Sequence, residues 1–188
     1  LSGDLSATPD KLISESPKLQ ETLNIIDSIK LKGEKVIIFT KLRNMQSILR
    51  RVIYYKYKID PIVINGQTKE NRNVLISNFS NIDGFNIIVL SPKAAGVGLN
   101  ITAANHVIHY TRDWNPAVEK QATDRTFRIG QKKDVKVYYP IVGKEAFETV
   151  EEKLDKLLEK KKALIDQVVV SKEQFKELDN DMMEILFE

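Results

Sequence analysis

The feature that most limits what this chain can become is a set of short aliphatic runs that do not alternate with polar residues. Val36-Ile37-Ile38-Phe39 and Ile87-Ile88-Val89-Leu90 are each apolar at four successive positions. A strand with one wet face would alternate, so continuous runs fit parallel strands covered on both sides. Segments of helical period lie between them. Met45, Ile48, Leu49, Val52 and Ile53 stand at i, i+3, i+4, i+7 and i+8, the spacing of a helix packed on a sheet. Ser16-Pro17 opens an earlier helix, with a hydroxyl at the cap and a proline where its missing N–H costs nothing. Leu19, Leu23 and Ile26 mark that helix's apolar face, and Gly33 ends it. Residues 61–65 read as a second strand, Asn65-Gly66 as a turn, and Thr68 as the cap of a helix carrying Val74, Leu75 and Phe79. Residues 106–110 and 135–141 read as the fourth and fifth strands, and residues 116–127 as a helix capped by Asn115. This alternation predicts right-handed crossovers and a three-layer α/β domain with a mainly parallel sheet.

After Gly143 the pattern changes. Val150, Leu154, Leu157, Leu158 and Ile165 stripe a long helix rich in Glu and Lys, and Ser171-Lys172-Glu173-Gln174 has the form of a capping box before a last helix. The expected division is a lead-in or linker over residues 1–15, an α/β domain over 16–143 and a helical appendage over 144–188. At 188 residues, one domain with an appendage is the natural limit. No aliphatic run approaches the ~18 residues of a membrane span, and no spanning segment is predicted. The chain contains no cysteine, which excludes a disulfide framework, a thiolate nucleophile and a Cys-type zinc site. A reducing intracellular setting fits that composition. The first sixteen residues lack an initiator Met, a basic stretch and an apolar run, so they do not read as a signal peptide, and the chain reads as cut from something longer.

In open parallel sheets, ligands bind at the carboxyl ends of the strands. Two of the loops expected there are unusual. One reads Ser91-Pro92-Lys93-Ala94-Ala95-Gly96-Val97-Gly98-Leu99-Asn100, where closely spaced glycines let backbone amides approach a phosphate and Lys93 adds a point charge. Ile101 stands where a dinucleotide fingerprint needs its third glycine, which argues against a Rossmann cofactor site. The other leads into Gln121-Ala122-Thr123-Asp124-Arg125-Thr126-Phe127-Arg128-Ile129-Gly130-Gln131. On a helix, Gln121, Arg125 and Arg128 would form one polar stripe, which fits either a surface ion-pair stripe or an arginine-finger arrangement aimed at a phosphoryl group. Absences matter equally. No Gly-x-x-x-x-Gly-Lys-[Ser/Thr] occurs and no Asp-Glu pair follows an apolar strand, so the chain offers fingers without a cradle for ATP or Mg²⁺.

The net charge is +3, which permits nucleic-acid binding without demanding it. Lys41, Arg43, Arg50, Arg51, Lys56 and Lys58 form a basic run with no acidic residue inside it; it fits a phosphate-facing surface or a solvated helix face with counter-charges elsewhere. His106 and His109, three apart on a strand, fall on opposite faces and do not share a metal. No metal ligand set is assigned. The run Lys160-Lys161-Lys162 reads as a solvated helix face.

Taken together, Val36 to Lys41, the Gly66 and Arg72 region, the Lys93 to Asn100 loop, Asp113-Trp114-Asn115-Pro116 and the Gln121 to Gln131 segment resemble the C-terminal helicase lobe of the switch/sucrose-nonfermenting (SWI/SNF-type) ATPases, which are superfamily-two DNA translocases. The spelling is most similar to bacterial and archaeal members. The resemblance implies a RecA-like lobe followed by brace helices over about 145–169 and beyond. It implies that Arg125 and Arg128, with Gln121, reach across to ATP on an N-terminal lobe of the same polypeptide. Gly96, Gly98 and Asn100 would be nucleotide-binding. Lys41, Arg43, Gly66, Arg72, Lys93 and Trp114 would meet double-stranded DNA. ATP and Mg²⁺ would be held mainly by the other lobe, the fragment alone would be monomeric and inactive, and the setting would be cytoplasmic and nucleoid-associated. Ala95 and Thr111 depart from the family's spelling, at positions where Gly and Asp are usual. The residues alone also fit a non-catalytic DNA- or protein-binding α/β module, or a lobe of another superfamily-two helicase such as a restriction-system motor.

Overall fold

The computed structural model of the protein describes residues 7–95, 99–126, 130–143 and 148–166. Its strands are β1 (Val36–Phe39), β2 (Ile62–Ile64), β3 (Ile87–Leu90), β4 (His106–His109) and β5 (Lys136–Tyr138). They pair side by side in the order β2-β3-β1-β4-β5, every pair parallel. Central β1 has Val36 opposite both Ile87 and His106, and Phe39 opposite Leu90 and His109. All four of its side chains are fully buried, as are those of β3. That explains the uninterrupted apolar runs, since neither face meets water.

The helices are α1 (Pro9–Ser14), α2 (Pro17–Leu31), α3 (Arg43–Tyr57), α4 (Arg72–Asn81), α5 (Pro92–Ala95), α6 (Pro116–Thr123) and α7 (Val150–Asp166). On one face of the sheet Val36, Ile38, Ile87 and Val89 pack with Leu23, Ile26, Leu49 and Ile53 of α2 and α3. On the other, Ile37, Phe39, Ile88 and Leu90 pack with Ile76 and Phe79 of α4 and Ala122 of α6. The period of two along each strand divides its side chains between two cores. The expected α/β three-layer architecture is present.

Several boundaries differ from the sequence reading for local reasons. Asn71, not Thr68, caps α4, its side chain accepting from the Asn73 amide. Val74 is 54% exposed and lies outside the core. Residues 9–14, placed in the lead-in, form α1, capped by Thr8. The helix of residues 116–127 stops at Thr123, and the strands expected over 106–110 and 135–141 end at His109 and span Lys136–Tyr138. Ser16 caps α2 as expected, and Asn115 accepts from the Ala117 amide at the start of α6.

The chain divides into two compact units, Leu1–Thr111 with Val118–Pro140, and Arg112–Ala117 with Ile141–Glu188. In the second, α7 starts at Val150 rather than near residue 145. Thr149 and Glu152 exchange bonds there, each accepting from the other's amide, a reciprocal capping box that the sequence reading overlooked. Arg112 is buried and pairs with Asp155 and Glu159 of α7. Lys161 is buried rather than part of a solvated face. The helix expected after Ser171 lies outside the described residues.

At the amino edge of the sheet, a polar network joins three strands. His106 is fully buried; its Nε2 lies 2.6 Å from Glu34 and its Nδ1 3.1 Å from the Tyr138 hydroxyl. An ionised carboxylate can only accept, so Nε2–H donates to Glu34 and the Tyr138 hydroxyl donates to Nδ1. This is the neutral imidazole that burial, which holds the His106 pKa below its usual value, also favours. Lys133 bonds the other Glu34 oxygen at 2.7 Å, and Lys133 with His106 holds that carboxyl down at about 2. A carboxylate with a depressed folded-state pKa stabilises the fold above its ordinary value and loses that contribution as the pH falls through the folded one. Glu34→Gln is therefore expected to destabilise the protein by about 1–2 kcal/mol near neutrality, after discounting for solvent screening. That penalty should shrink from pH 4.5 towards 2. Urea unfolding of both proteins across this range checks it; a pH-independent difference would contradict the assignment.

Candidate nucleic-acid and nucleotide interface

Because every strand is parallel, the loops after β1, β2 and β3 leave the same edge of the sheet. The ladder runs right up to it: the Thr40 amide donates to the Leu90 carbonyl, the Ser91 amide to Ile64, and the Tyr110 amide to Phe39. Lys41, Arg43, Gly66, Arg72 and Lys93 all belong to segments starting at this edge. Lys41, Arg43, Gly66 and Lys93 are exposed, and Arg72 is partly buried with a guanidinium nitrogen 3.3 Å from the Asn65 carbonyl.

The basic run over residues 41–58 separates into two groups. Arg50 makes a two-pronged pair with Asp60 at 2.6 Å, Lys56 pairs with Asp27, Arg51 donates to the Ala7 carbonyl and Lys58 to that of Tyr55. Lys41 and Arg43, at the strand edge, make no side-chain hydrogen bond or ion pair among the described residues; nor does Lys93. Between the two readings of this run, the structure gives two residues to internal counter-charges and two to backbone carbonyls, and leaves the two nearest the edge open.

The start of α3 adds to this. Thr8, Ser16, Asn71, Ser91, Asn115 and Thr149 cap their helices, whereas Leu42 at the start of α3 supplies no side-chain bond. Among the described residues this long helix alone begins without a side-chain cap. Its first amides and positive dipole end therefore stay available beside Lys41 and Arg43.

Asn65 organises the neighbouring loop. Its Oδ1 accepts from Gln67, its amide donates to the Thr68 hydroxyl, and its Nδ2 donates to Gln46 Oε1 at 2.7 Å. Thr68, expected to cap a helix, serves this turn instead. Gly66 lies inside the turn with an ordinary backbone conformation, and a Cβ built there would meet nothing within 4 Å. Neither strain nor crowding within the chain calls for glycine at this point.

The arginine segment departs from the helical stripe. Beyond Thr123 the chain tightens: the Arg125 amide bonds to Ala122 and the Thr126 amide to Thr123, both three residues back. Gln121 is exposed, but Arg125 is 9% exposed, and its carbonyl accepts from the Ile101 amide. Gln121 and Arg125 therefore do not form one exposed helical row. Arg128 lies outside the described residues, as do Gly96 and Gly98. Asn100 is exposed, beside buried Leu99 and Ile101. Gly130 has φ +108°, which explains a glycine there. Gln131 donates to the carbonyls of Thr102 and Ala104 and pins the approach to β4.

In the other unit, Trp114 is partly buried in a turn where Asp113 accepts from the Asn115 amide. His106 and His109 diverge as expected. His109 bonds Thr123 and stacks between Phe39 and Tyr139. No cluster of acidic or histidine side chains suited to a metal occurs among the described residues, and no described helix is long and apolar enough to cross a membrane. A cavity of about 310 Å³ opens at the opposite, amino edge, lined by Glu34, Lys35, Asn105, Gln131, Lys132 and Lys133. It borders the end of the arginine segment at Gly130 and Gln131 rather than the loops after β1, β2 and β3, and the Glu34 charge in it is already met by Lys133.

A five-stranded parallel sheet covered on both faces, with basic motif loops gathered at its carboxyl edge, defines a RecA-like helicase lobe. The chain belongs to the helicase conserved C-terminal domain family, whose pattern matches residues 17–130, and its relatives are of SWI2/SNF2 type. It is 49% identical over 156 residues to the Zorya protein ZorD of Escherichia coli O139:H28, covering 79% of this chain and 14% of that protein. Among solved structures it is similar to the C-terminal part of the Fun30 ATPase domain, with TM-score 0.70, 32% identity and coverage of 92% of this chain and 55% of that one. It is also similar to the Sulfolobus solfataricus SWI2/SNF2 ATPase core in complex with dsDNA, with TM-score 0.64, 39% identity and coverage of 82% and 31%. The chain thus spans only a small part of the curated relatives it matches.

Proposed function

We propose that this chain is the second, C-terminal lobe of an ATP-dependent double-stranded-DNA translocase or remodeller. It supplies arginines and a DNA-backbone surface to ATP hydrolysis centred on an N-terminal lobe of the same polypeptide. The observation that carries this reading is the partition of the basic residues: Arg50, Arg51, Lys56 and Lys58 are engaged within the fold, while Lys41, Arg43 and Lys93 stand open at the strand edge. Open cations beside an uncapped helix start bind backbone phosphate without reading sequence. The dsDNA complex of the Sulfolobus relative supports the same partner.

The chain's own residues do not fit an ATP cradle or a Mg²⁺ site. It has no Gly-x-x-x-x-Gly-Lys-[Ser/Thr] loop, and no group of acidic or histidine side chains suited to a metal occurs among its described residues. Both groups are assigned to the first lobe. Arg128 is the proposed finger, with Arg125 and Gln121 in the same segment and Gly96, Gly98 and Asn100 in the loop linking nucleotide to DNA. A planar guanidinium suits phosphoryl oxygens better than an ammonium does. ATP binding would draw the lobes together and hydrolysis would release them, moving Lys41, Arg43, Arg72, Lys93 and Trp114 along the duplex. We place the protein in the cytoplasm, at the nucleoid.

The 188-residue chain alone is expected to show negligible ATPase activity with duplex DNA; turnover at a rate typical of intact family members would refute the assignment of the ATP cradle to the first lobe. In the full-length polypeptide, Arg128→Lys and Arg128→Ala should both reduce turnover by roughly 10³- to 10⁵-fold, with DNA affinity little changed. Near wild-type hydrolysis by both folded variants would remove Arg128 from the site. Gly66→Ala separates folding from binding. With open space around the Cβ it should leave stability unchanged or raise it by up to about 1 kcal/mol, yet weaken duplex binding if the proposed phosphate contact needs close approach at Gly66. Unaltered affinity in a filter-binding titration would argue against close approach of DNA at Gly66.

A further inference from the structure

Gln46 is out of place by composition. It lies within α3 beside Ile48 and Leu49 and is 2% exposed. A buried primary amide is costly unless both of its ends are bonded. Here both are. Nε2 donates to the Thr40 carbonyl at 2.9 Å, where the chain leaves β1, and Oε1 accepts from Asn65 Nδ2 at 2.7 Å, where the chain leaves β2. These two strands are not neighbours, because β3 runs between them. At about 4.8 Å per strand the two exits are roughly 10 Å apart, and one side chain bridges them.

The loops it joins carry Lys41 and Arg43 on one side and Gly66 and Arg72 on the other. Arg72 reaches back to the carbonyl of the same Asn65. Gln46 is too deeply buried to touch a ligand itself. We propose that Gln46 is a positioning residue that sets the separation of the two loops, so that both meet backbone phosphates of one duplex together. This rests on the reading that the loops contact DNA. Loss of the bridge lets each loop settle separately, and simultaneous phosphate contacts are lost although no cation has been removed.

The salt dependence of duplex binding separates positioning from simple support of the fold. Each phosphate contact contributes about 0.9 to the slope of log affinity against log salt. In the full-length polypeptide, with a fixed-length duplex of arbitrary sequence, Gln46→Met keeps the side chain's bulk and removes both bonds. It should lower that slope by about one and weaken binding roughly three- to tenfold at moderate salt. Asn65→Ser removes the bridge from the other side while its hydroxyl still serves the turn. It should give the same loss, and it carries the test if Gln46→Met does not fold. A purely structural role would reduce the fraction of binding-competent protein and leave the slope of the remainder at the wild-type value, which would overturn the proposal. Lys41→Ala and Arg43→Ala provide the reference. If neither lowers the slope, the DNA-contact reading fails and the Gln46 proposal falls with it. If either does while Gln46→Met and Asn65→Ser keep the wild-type slope, the positioning role alone is wrong.

Discussion

β1 is buried on both faces and hydrogen-bonded along both edges, and the arrangement of this lobe follows from that. A strand in such a position has no room for a polar side chain and no free backbone group along its length. Its four residues, Val36 to Phe39, are accordingly all aliphatic or aromatic, and all are fully buried. Polar chemistry is pushed to the strand ends. Since β2, β3 and β4 run the same way as β1, the loops that follow them lie along one edge by geometry alone. The ladder continues into Thr40, Ser91 and Tyr110, so those loops begin from a rigid base.

The two edges of the sheet then differ in their electrostatics. At the amino edge, Glu34 is held between His106 and Lys133, and Lys35 reaches the Ser80 carbonyl while lying over the Phe79 ring. Glu34 thereby ties the start of β1 to β4 and to the approach to β5, and Lys35 ties it to α4. At the carboxyl edge Lys41, Arg43 and Lys93 are left exposed, and α3 begins without a side-chain cap. An exposed cation with no ion pair adds little to stability, so the three beside the motif loops leave an electrostatic surface suited to an anion outside the chain. Their place beside the motif loops links the fold to the proposed DNA contact.

The layer structure was legible because burial on both faces writes itself into sequence as uninterrupted apolar runs, and β1 and β3 fall where those runs stand. Helix starts were legible where one residue carries the signal, as Ser16 and Asn115 do. They were misread where two polar residues competed. Thr68 and Asn71 both precede α4, and Thr68 goes to the Asn65 turn, a tertiary outcome that local pattern does not reveal. Gln46 was missed for a related reason, since an amide within a helical apolar face looks like an interruption until the strand exits it bridges are known. Lys161 defied its charged surroundings because neighbouring residues in a helix point to different faces. Within the candidate site the sequence located the loops but could not tell engaged cations from open ones, which depends on distant partners such as Asp27 and Asp60.

The arginine segment shows why the distinction between burial and availability matters for mechanism. A helical wheel places Arg125 and Arg128 on one stripe as equivalents, but α6 ends at Thr123, and Arg125 and Thr126 close with bonds three back rather than four. That change of pitch turns Arg125 off the stripe and into the protein, where its carbonyl also receives the Ile101 amide beside the Asn100 loop. Changing a buried guanidinium disturbs packing and desolvated charge together, so lost turnover in an Arg125 variant would not distinguish chemistry from folding. The backbone link has a second consequence. Because Arg125 and Ile101 are joined main chain to main chain, movement of the arginine segment on engaging a nucleotide would be felt at Asn100 without any side-chain relay. The main-chain bond would thus tie Asn100 to the arginine segment that we propose for the nucleotide.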